Sequence, residues 1–290
     1  MSYQGTKINP TKFHRSQTKF YVILIPLAMV MMLPIIFIVF HALKPVNELF
    51  AFPPRFFVKH PTLENFQELM GFAASSGIPF SRFIFNSLVV TLSVMFLSVF
   101  ISAIAAYAMS KMKFRMRATL FEINTVALMF VPLAVQIPRF LVIDESGIMD
   151  TYLAHILPLL SMPIGLFLMK QFIDQVPDEL KEAAVMDGAT EFMVFRKVML
   201  PVIKPALATV AILAFQAVWN NIETSSYYVN DESLKTVAFF MSTLVSQNGN
   251  AVAGQGMAAA ASLLMFLPNL IIFIFLQSKV MNTMAHSGLK

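Results

Sequence analysis

The chain has 290 residues, 57% of them hydrophobic and only 13% charged, against the roughly 25% charged residues of an average soluble domain. That balance excludes an ordinary soluble fold and points to a membrane protein. The net charge of +5 is not laid out for nucleic acid, since the basic residues cluster beside apolar runs, and a chain without cysteine has no disulfide, thiolate chemistry or Cys-based metal site.

In chain order, the polar, basic arm Met1 to Thr18 is expected to lie partly on the inner membrane surface. The first apolar span runs from Phe20 to Ala42. Lys7, Lys12, Arg15 and Lys19 before it would suit a signal peptide, but the run is too long for that and no small-residue cleavage site follows, so it is read as a retained helix. A short interfacial helix is expected near Leu63 to Met70, with Leu63, Phe66 and Met70 on one face. Five more spans follow: Ser87 to Met109, Ala118 to Val142, Tyr152 to Phe172, Ile203 to Asn220, and Ala258 to Met281. Each is near the roughly 20 residues a helix needs to cross hydrocarbon. Hydrocarbon leaves backbone amides no water, and these runs lack the alternation of barrel strands, so helices are expected throughout. Prolines within the spans, among them Pro26, Pro34, Pro132, Pro138, Pro158, Pro163, Pro205 and Pro268, favour kinks around a central pathway.

The loop "SKMKFRMR" (Ser110 to Arg117) carries four basic residues and no acid, whereas "DESGIMD" (Asp144 to Asp150) is acidic and the last large loop holds Glu223, Asp231 and Glu232 against Lys235. The positive-inside rule therefore places both termini in the cytoplasm. The expected fold is all-α, a polytopic membrane protein with six transmembrane helices. His14, His41, His60, His155 and His286 have no metal-ligand spacing.

Between spans four and five lies "EAAVMDGATEFMVFRKVMLP", Glu182 to Pro201. Pro177, Asp178 and Glu179 suit a helix start and Gly188 a helix end, while Thr190 is placed to cap a second short helix with Phe192, Phe195 and Met199 on one face, stopped by Pro201. A hairpin lying on lipid headgroups should be clearly basic, and this acid-rich one is not, so a protein partner approaching Ala183 and Ala184 explains it better.

Two groups of polar residues fall inside or beside spans, where burial is costly. Gln136 and Arg139 lie late in span three, while Trp219, Asn220 and Asn221 close span five with Glu223 beyond. An aromatic face with amides suits sugar binding, although Trp also favours bilayer interfaces and Arg snorkels. The loop from about 222 to 257 is expected to be long and structureless, with a mobile tip.

The spacing Glu-Ala-Ala, three residues, Gly188, nine residues, Val198, one residue, Leu200-Pro201 resembles the EAA loop of binding-protein-dependent ABC importer permeases, with Val for the usual Ile. The resemblance extends through "FAFPPRFFVKHPTLENFQELM", "NSLVVTLSV", "AYAMSKMKF", "GIMDTYLAHILP" and "LPNLIIFIFLQSKV", and is strongest to the carbohydrate-importing branch typified by the maltose permease subunit MalG. It implies a type I ABC importer permease architecture in a bacterial inner membrane. Glu182 and Gly188, flanked by Ala183, Ala184, Asp187 and Ala189, would form a coupling helix (loop about 175–201) seated in one of two cytoplasmic ATPase subunits. It further implies a second, related permease chain as heterodimer partner and an extracytoplasmic binding protein. The latter would be contacted by the segment Ser246 to Gly256, with Gln247, Asn248, Gly249 and Asn250 as candidates. ATP and Mg would belong to the ATPase; no cofactor is expected here, and no Walker A pattern occurs. Where Arg139 stands the family usually has an apolar or aromatic residue, which raises an anionic oligosaccharide such as a uronate as cargo. An ion-coupled secondary carrier would need acids or broken-helix cation sites near mid-membrane, and no Asp or Glu lies centrally in a span. A membrane enzyme would need a convergent catalytic set, and no such motif appears.

Overall fold

The computed structural model describes residues 17–75, 77–248 and 252–287, so the basic arm before residue 17 lies outside the described residues. Among the described residues the secondary structure is entirely helical. Contacts divide the chain into two units, one ending at Leu69 and including Gln247–Leu263, the other comprising Met70–Ser246 with the chain from Leu264 onward.

In the first unit, helix α1 (Thr18–Ala42) accommodates Pro26 and Pro34 internally. Beyond it the chain hooks back on itself. The Glu48 carboxylate accepts the backbone N–H groups of Lys59 (3.0 Å) and His60 (2.8 Å), and Phe40 and Phe56 pack edge-on against Phe57 at 5.2 Å. These amides hold the Glu48 carboxyl below the usual carboxylate range, Lys59 contributing most. The expected interfacial helix exists as α2 (Glu64–Ser75), but turned: Leu63 and Met70 are exposed, and the buried residues include Asn65 and Leu69. Buried Asn65 sets the orientation, its amide donating to the carbonyls of Ala42 (2.9 Å) and Lys44 (2.8 Å) at the end of α1. Gly256 also belongs here; a Cβ on it would stand 2.3 Å from Asn65 Oδ1, so this position is a close backbone contact and not a free loop tip.

The second unit is organised on α3 (Phe80–Lys111), which begins seven residues before the expected span. Asn86, Val90, Val94, Ser98, Ser102 and Ala106 recur a turn apart on its buried face. Small and hydroxyl residues allow close helix approach in a membrane bundle. Span three is not one straight helix. It is α4 (Arg117–Ala127), a short 3₁₀ turn from Pro132, and α5 (Gln136–Glu145), bent by 108°. Proline explains the position of the break: Val131, immediately before Pro132, is held extended at φ −72°, ψ 129°. Span four is similarly divided into α6 (Tyr152–Leu160) and α7 (Pro163–Asp174), bent by 44° just before Pro163. Next come the short helix α8 (Asp178–Met186) and, after a further helical stretch, α9 (Lys204–Trp219). Thr18–Ala42, Phe80–Lys111, Lys204–Tyr227 and Gly254–Gln277 are each long and apolar enough to cross a membrane, and counting each bent pair as one span gives six.

The stretch expected to be a structureless outer loop is largely helical. It contains the turn of helix Glu223–Tyr227, α10 (Val237–Asn248) and the start of α11 (Val252–Ser287), which begins six residues before the expected span. Distant side chains supply its backbone partners. Asn86 donates to the carbonyls of Ser233 (2.8 Å) and Lys235 (2.9 Å) and accepts from the Tyr152 hydroxyl (2.7 Å), while Ser87 accepts from the Val237 N–H (2.8 Å). Buried His155 contacts the Thr224 hydroxyl (2.8 Å) and the Leu234 carbonyl (3.1 Å). The Asp150 carboxylate receives the backbone N–H groups of Asn230 and Asp231, which hold its carboxyl below the usual carboxylate range, Asp231 contributing most.

Gly165 of α7 marks a tight crossing, where a Cβ would lie 3.0 Å from both Ser102 Oγ on α3 and Val210 Cγ1 on α9. A Gly165→Leu variant is therefore expected to overpack this crossing at a cost of about 1–3 kcal/mol. Gly71→Ala, whose Cβ meets nothing within 4 Å, serves as control. Thermal unfolding in detergent should show a lowered midpoint for Gly165→Leu only.

Candidate functional site

The segment between α7 and α9 folds as a two-part hairpin. Asp178 and Glu179 in the first turn of α8 complement the helix dipole. The helix ends in a Schellman arrangement: Gly188, at φ +83°, donates to the Val185 carbonyl (2.9 Å), and Ala189 donates to that of Ala184 (3.0 Å). Thr190 caps the next helix, its hydroxyl oxygen accepting from the Met193 N–H at 3.3 Å.

From there the chain stays helical through Glu191–Met193, a π-helical stretch Val194–Met199 and Leu200–Val202. Pro201 therefore does not stop the helix; it stands in the first turn of the Leu200–Val202 piece. The expected apolar face is also shifted. Val194, Phe195 and Met199 are buried, but Phe192 is 62% exposed. The buried three join Ala106 and Tyr107 of α3, Met169 and Ile173 of α7, and Ile203 and Val210 in one apolar cluster.

The EAA residues divide between two surfaces. Ala184 and Ala189 pack on that cluster, so Ala184 is not a knob presented outward, whereas Glu182, Ala183, Asp187 and Gly188 are exposed. The projecting apolar side chains include Leu180, Val185, Phe192 and above all Met186, which is 86% exposed. An exposed apolar patch with acidic neighbours on a small hairpin is the signature of a docking surface.

Polar contacts secure the hairpin from behind. Lys111 at the end of α3 donates to the Val176 carbonyl and to Asp178, both at 2.6 Å. Lys181 donates to the Lys111 carbonyl and pairs with Glu191, both at 2.8 Å, and the Tyr107 hydroxyl donates to Glu191 at 2.6 Å. The Lys111 ammonium holds the Asp178 carboxyl below its ordinary range, and Lys181, then Tyr107, does the same for Glu191.

The pathway candidates come together only in part. The breaks before Pro132 and Pro163 line an open cavity of about 760 Å³, in which Arg139 is the single charged lining residue among the described residues. Arg139 pairs with Glu223 at 3.2 Å, and the Tyr228 hydroxyl leans on the same carboxylate oxygen at 3.4 Å. Gln136 opens α5 one turn before Arg139 and does not line this cavity. Trp219 is not presented as a stacking surface: it is 6% exposed, stacks on Phe215, and donates its indole N–H to the Met265 carbonyl at 3.1 Å. Asn221 is a cap, accepting the Thr224 N–H at 3.0 Å, and exposed Asn220 accepts from Asn269 at 3.2 Å. Sequence reasoning missed Tyr228 and Asn269, whose roles depend on contacts across the fold. Of the binding-protein candidates, Gln247 is exposed near the end of α10 and Asn248 closes that helix, while Gly249 and Asn250 lie outside the described residues.

The lowered Asp178 and Glu191 carboxyls have a pH consequence. Folded-state values below the unfolded ones add stability that is complete above the ordinary carboxylate range and lost as pH falls through the depressed values. Hydrogen exchange across Asp178–Met186, corrected for intrinsic rates, should show protection constant near neutrality and falling in acid below that range. Lys111→Met should flatten the dependence.

The chain was compared with known proteins. The family described as binding-protein-dependent transport system inner membrane component matches residues 98–278. The arabinooligosaccharides transport system permease protein AraQ of Bacillus subtilis (strain 168) is 29% identical over 265 residues, 91% of this chain and 92% of that protein. The sulfoquinovosyl glycerol transport system permease protein SmoH of Agrobacterium fabrum (strain C58 / ATCC 33970) is 28% identical, covering 89% and 88%. In fold, the chain is similar to one in the crystal structure of a bacterial ABC transporter involved in the import of the acidic polysaccharide alginate, with TM-score 0.77, 21% identity and coverage of 93% and 99%. The family match takes in most of the apolar helices and the whole EAA hairpin, and the chain belongs to the binding-protein-dependent transport system inner membrane components.

Proposed function

We propose that this chain is one transmembrane subunit of an ATP-driven importer that moves sugars or oligosaccharides by alternating access from an extracytoplasmic binding protein into the cytoplasm. The observation that carries the reading is the exposed apolar surface of the hairpin, Met186 foremost, backed by a packed core and reaching out from a bundle of apolar helices. The Lys/Arg distribution supports a cytoplasmic hairpin and cytoplasmic termini in an inner membrane. On this reading, Glu182, Ala183, Asp187 and Gly188 meet one of two ATPase subunits, with Ala184 and Ala189 setting the hairpin on the bundle. ATP and Mg are bound and used by those partners. The strongly exposed apolar side chains Met129, Leu133 and Ile137, in the bent segment that lines the open cavity, support a second, related permease chain closing the pathway. The binding protein would be met by the segment 246–256.

Sugar cargo is supported by the names of AraQ and SmoH, two full-length relatives. An acidic cargo is the second reading, favoured by Arg139 in the cavity wall. Its pairing with Glu223 offsets its charge and gives Arg139 a structural task as well, so an acidic group would have to compete with that carboxylate.

Affinity purification of the gently solubilised chain from native membranes, followed by mass spectrometry, is expected to recover an ATPase and a second permease. Met186→Asp, changing a side chain that packs on little, should lose the ATPase and keep the second permease. Recovery of the chain alone, or an ATPase indifferent to Met186, would defeat the proposal and favour an ion-coupled carrier. Separately, Arg139→Leu is expected to weaken competition by acidic oligosaccharides relative to neutral ones by roughly tenfold, as for a lost charge-assisted hydrogen bond. An unchanged preference would eliminate the acidic reading.

A further inference from the structure

The end of α3 and the hairpin meet in a closed circuit of charged and hydroxyl groups. Lys111 reaches forward to the entry of α8, where it satisfies the Val176 carbonyl and the Asp178 carboxylate. Lys181 on α8 reaches back to the Lys111 carbonyl, one of the terminal carbonyls that α3 cannot satisfy itself, and also holds Glu191 on the far side of the Gly188 turn. Tyr107, one helical turn before Lys111, closes the loop by donating to the other oxygen of Glu191. Every link therefore crosses between the rod-like α3 and the small hairpin, or between the two arms of the hairpin. The Lys111 side chain is only 5% exposed although its partner Asp178 is 74% exposed, so the ammonium is held inside the joint and not spread on the surface. Around the circuit the packing is continuous, with the Tyr107 ring 5.4 Å from that of Phe195 and Lys181 over its face at 5.9 Å.

At its other end the same helix is tied just as firmly. Arg82 and Asn86 donate to the Ser233 carbonyl at 3.1 and 2.8 Å, and Ser87 accepts from Val237. One uninterrupted helix of 32 residues thus has the hairpin fastened to one end and the 233–237 segment to the other. By contrast, α4 to α5 and α6 to α7 are both broken by prolines and are poorly suited to carry a push along their length.

We propose that Tyr107 and Lys111 are positioning residues that lock the hairpin to α3, so that a displacement imposed on the hairpin moves α3 as one body and reaches the segment 233–237 at its far end. This rests on the hairpin being the ATPase seat. The lock lies behind the docking surface: it leaves partner binding to the exposed face and governs what a bound partner can move.

The absence of native cysteine makes the test direct. Spin labels at Met112→Cys and Glu179→Cys, both exposed and neither among the projecting apolar side chains, report the distance between the end of α3 and the hairpin in the complex purified from native membranes. With native Tyr107 and Lys111, one narrow distribution is expected that Mg-ATP does not change. In a Tyr107→Phe/Lys111→Met variant, which keeps the ring and the aliphatic stem, the width should roughly double and become ATP-sensitive with the ATPase still bound. Lys111→Arg should restore the narrow distribution. A double variant as narrow and ATP-insensitive as its parent, with the ATPase retained, would overturn the proposal, as would an ATP-driven change in the parent itself. Failure to recover an ATPase with the parent would instead defeat the ATPase-seat reading, and the nucleotide-free widths would still decide whether the two residues lock the joint.

Discussion

Hydrocarbon offers a backbone amide nothing to bond with, so every place where this chain leaves the helix inside the membrane must find its partners within the protein. Buried backbone elsewhere carries the same cost, and a small set of buried polar side chains meets it. Asn86, Ser87, His155, Thr224 and Ser225 lie within a few ångströms of one another's partners and satisfy the turns between residues 221 and 237. Asn65 serves the end of α1 in the same way. At the break before Pro163 other side chains take this part, Ser98 donating to the Leu160 carbonyl at 3.3 Å and Asn124 to that of Pro163 at 3.1 Å, and the breaks line the cavity beside Pro132 and Pro163.

The same economy governs the hairpin. Exposed as it is, it could turn its amides to water, yet its ends are capped internally by Gly188 and Thr190, and its base is tied by Lys111, Lys181, Tyr107 and Glu191. A surface element that only needed to be soluble would not require this degree of fixation. Its apolar side chains are consequently sorted, with Phe195 and Met199 committed to the core and Met186 and Phe192 left outside.

Much of this was legible in the amino-acid order. Apolar length located the helices, because a bilayer imposes one scale on all of them, and the turn chemistry of Gly188 and Thr190 located the hairpin, because both act on neighbouring backbone. What escaped was set by distant partners. Nothing near residues 233–237 announces that Asn86 will supply their hydrogen bonds, so the region reads as loop. Trp219 reads as a sugar platform because its local neighbours are amides, but Met265 and Phe215 enclose it. Lys111 reads as one more positive-inside charge, since only the folded chain brings it to Val176. The π-helical stretch is likewise invisible to a search for 3.6-residue spacing, which is why Phe192 was placed on the wrong side.

That stretch, Val194–Met199, also bears on how such a chain can change over evolutionary time. A π turn accommodates one residue more than an α turn, so the extra residue is taken up without breaking the helix. Its wider turn lets Val194, Phe195 and Met199 all face the core that Ala106, Tyr107 and Val210 share. Substitutions in the stretch alter one side chain, whereas loss of a single residue would change which of its side chains face that core. The length of this segment is therefore under tighter constraint than its composition.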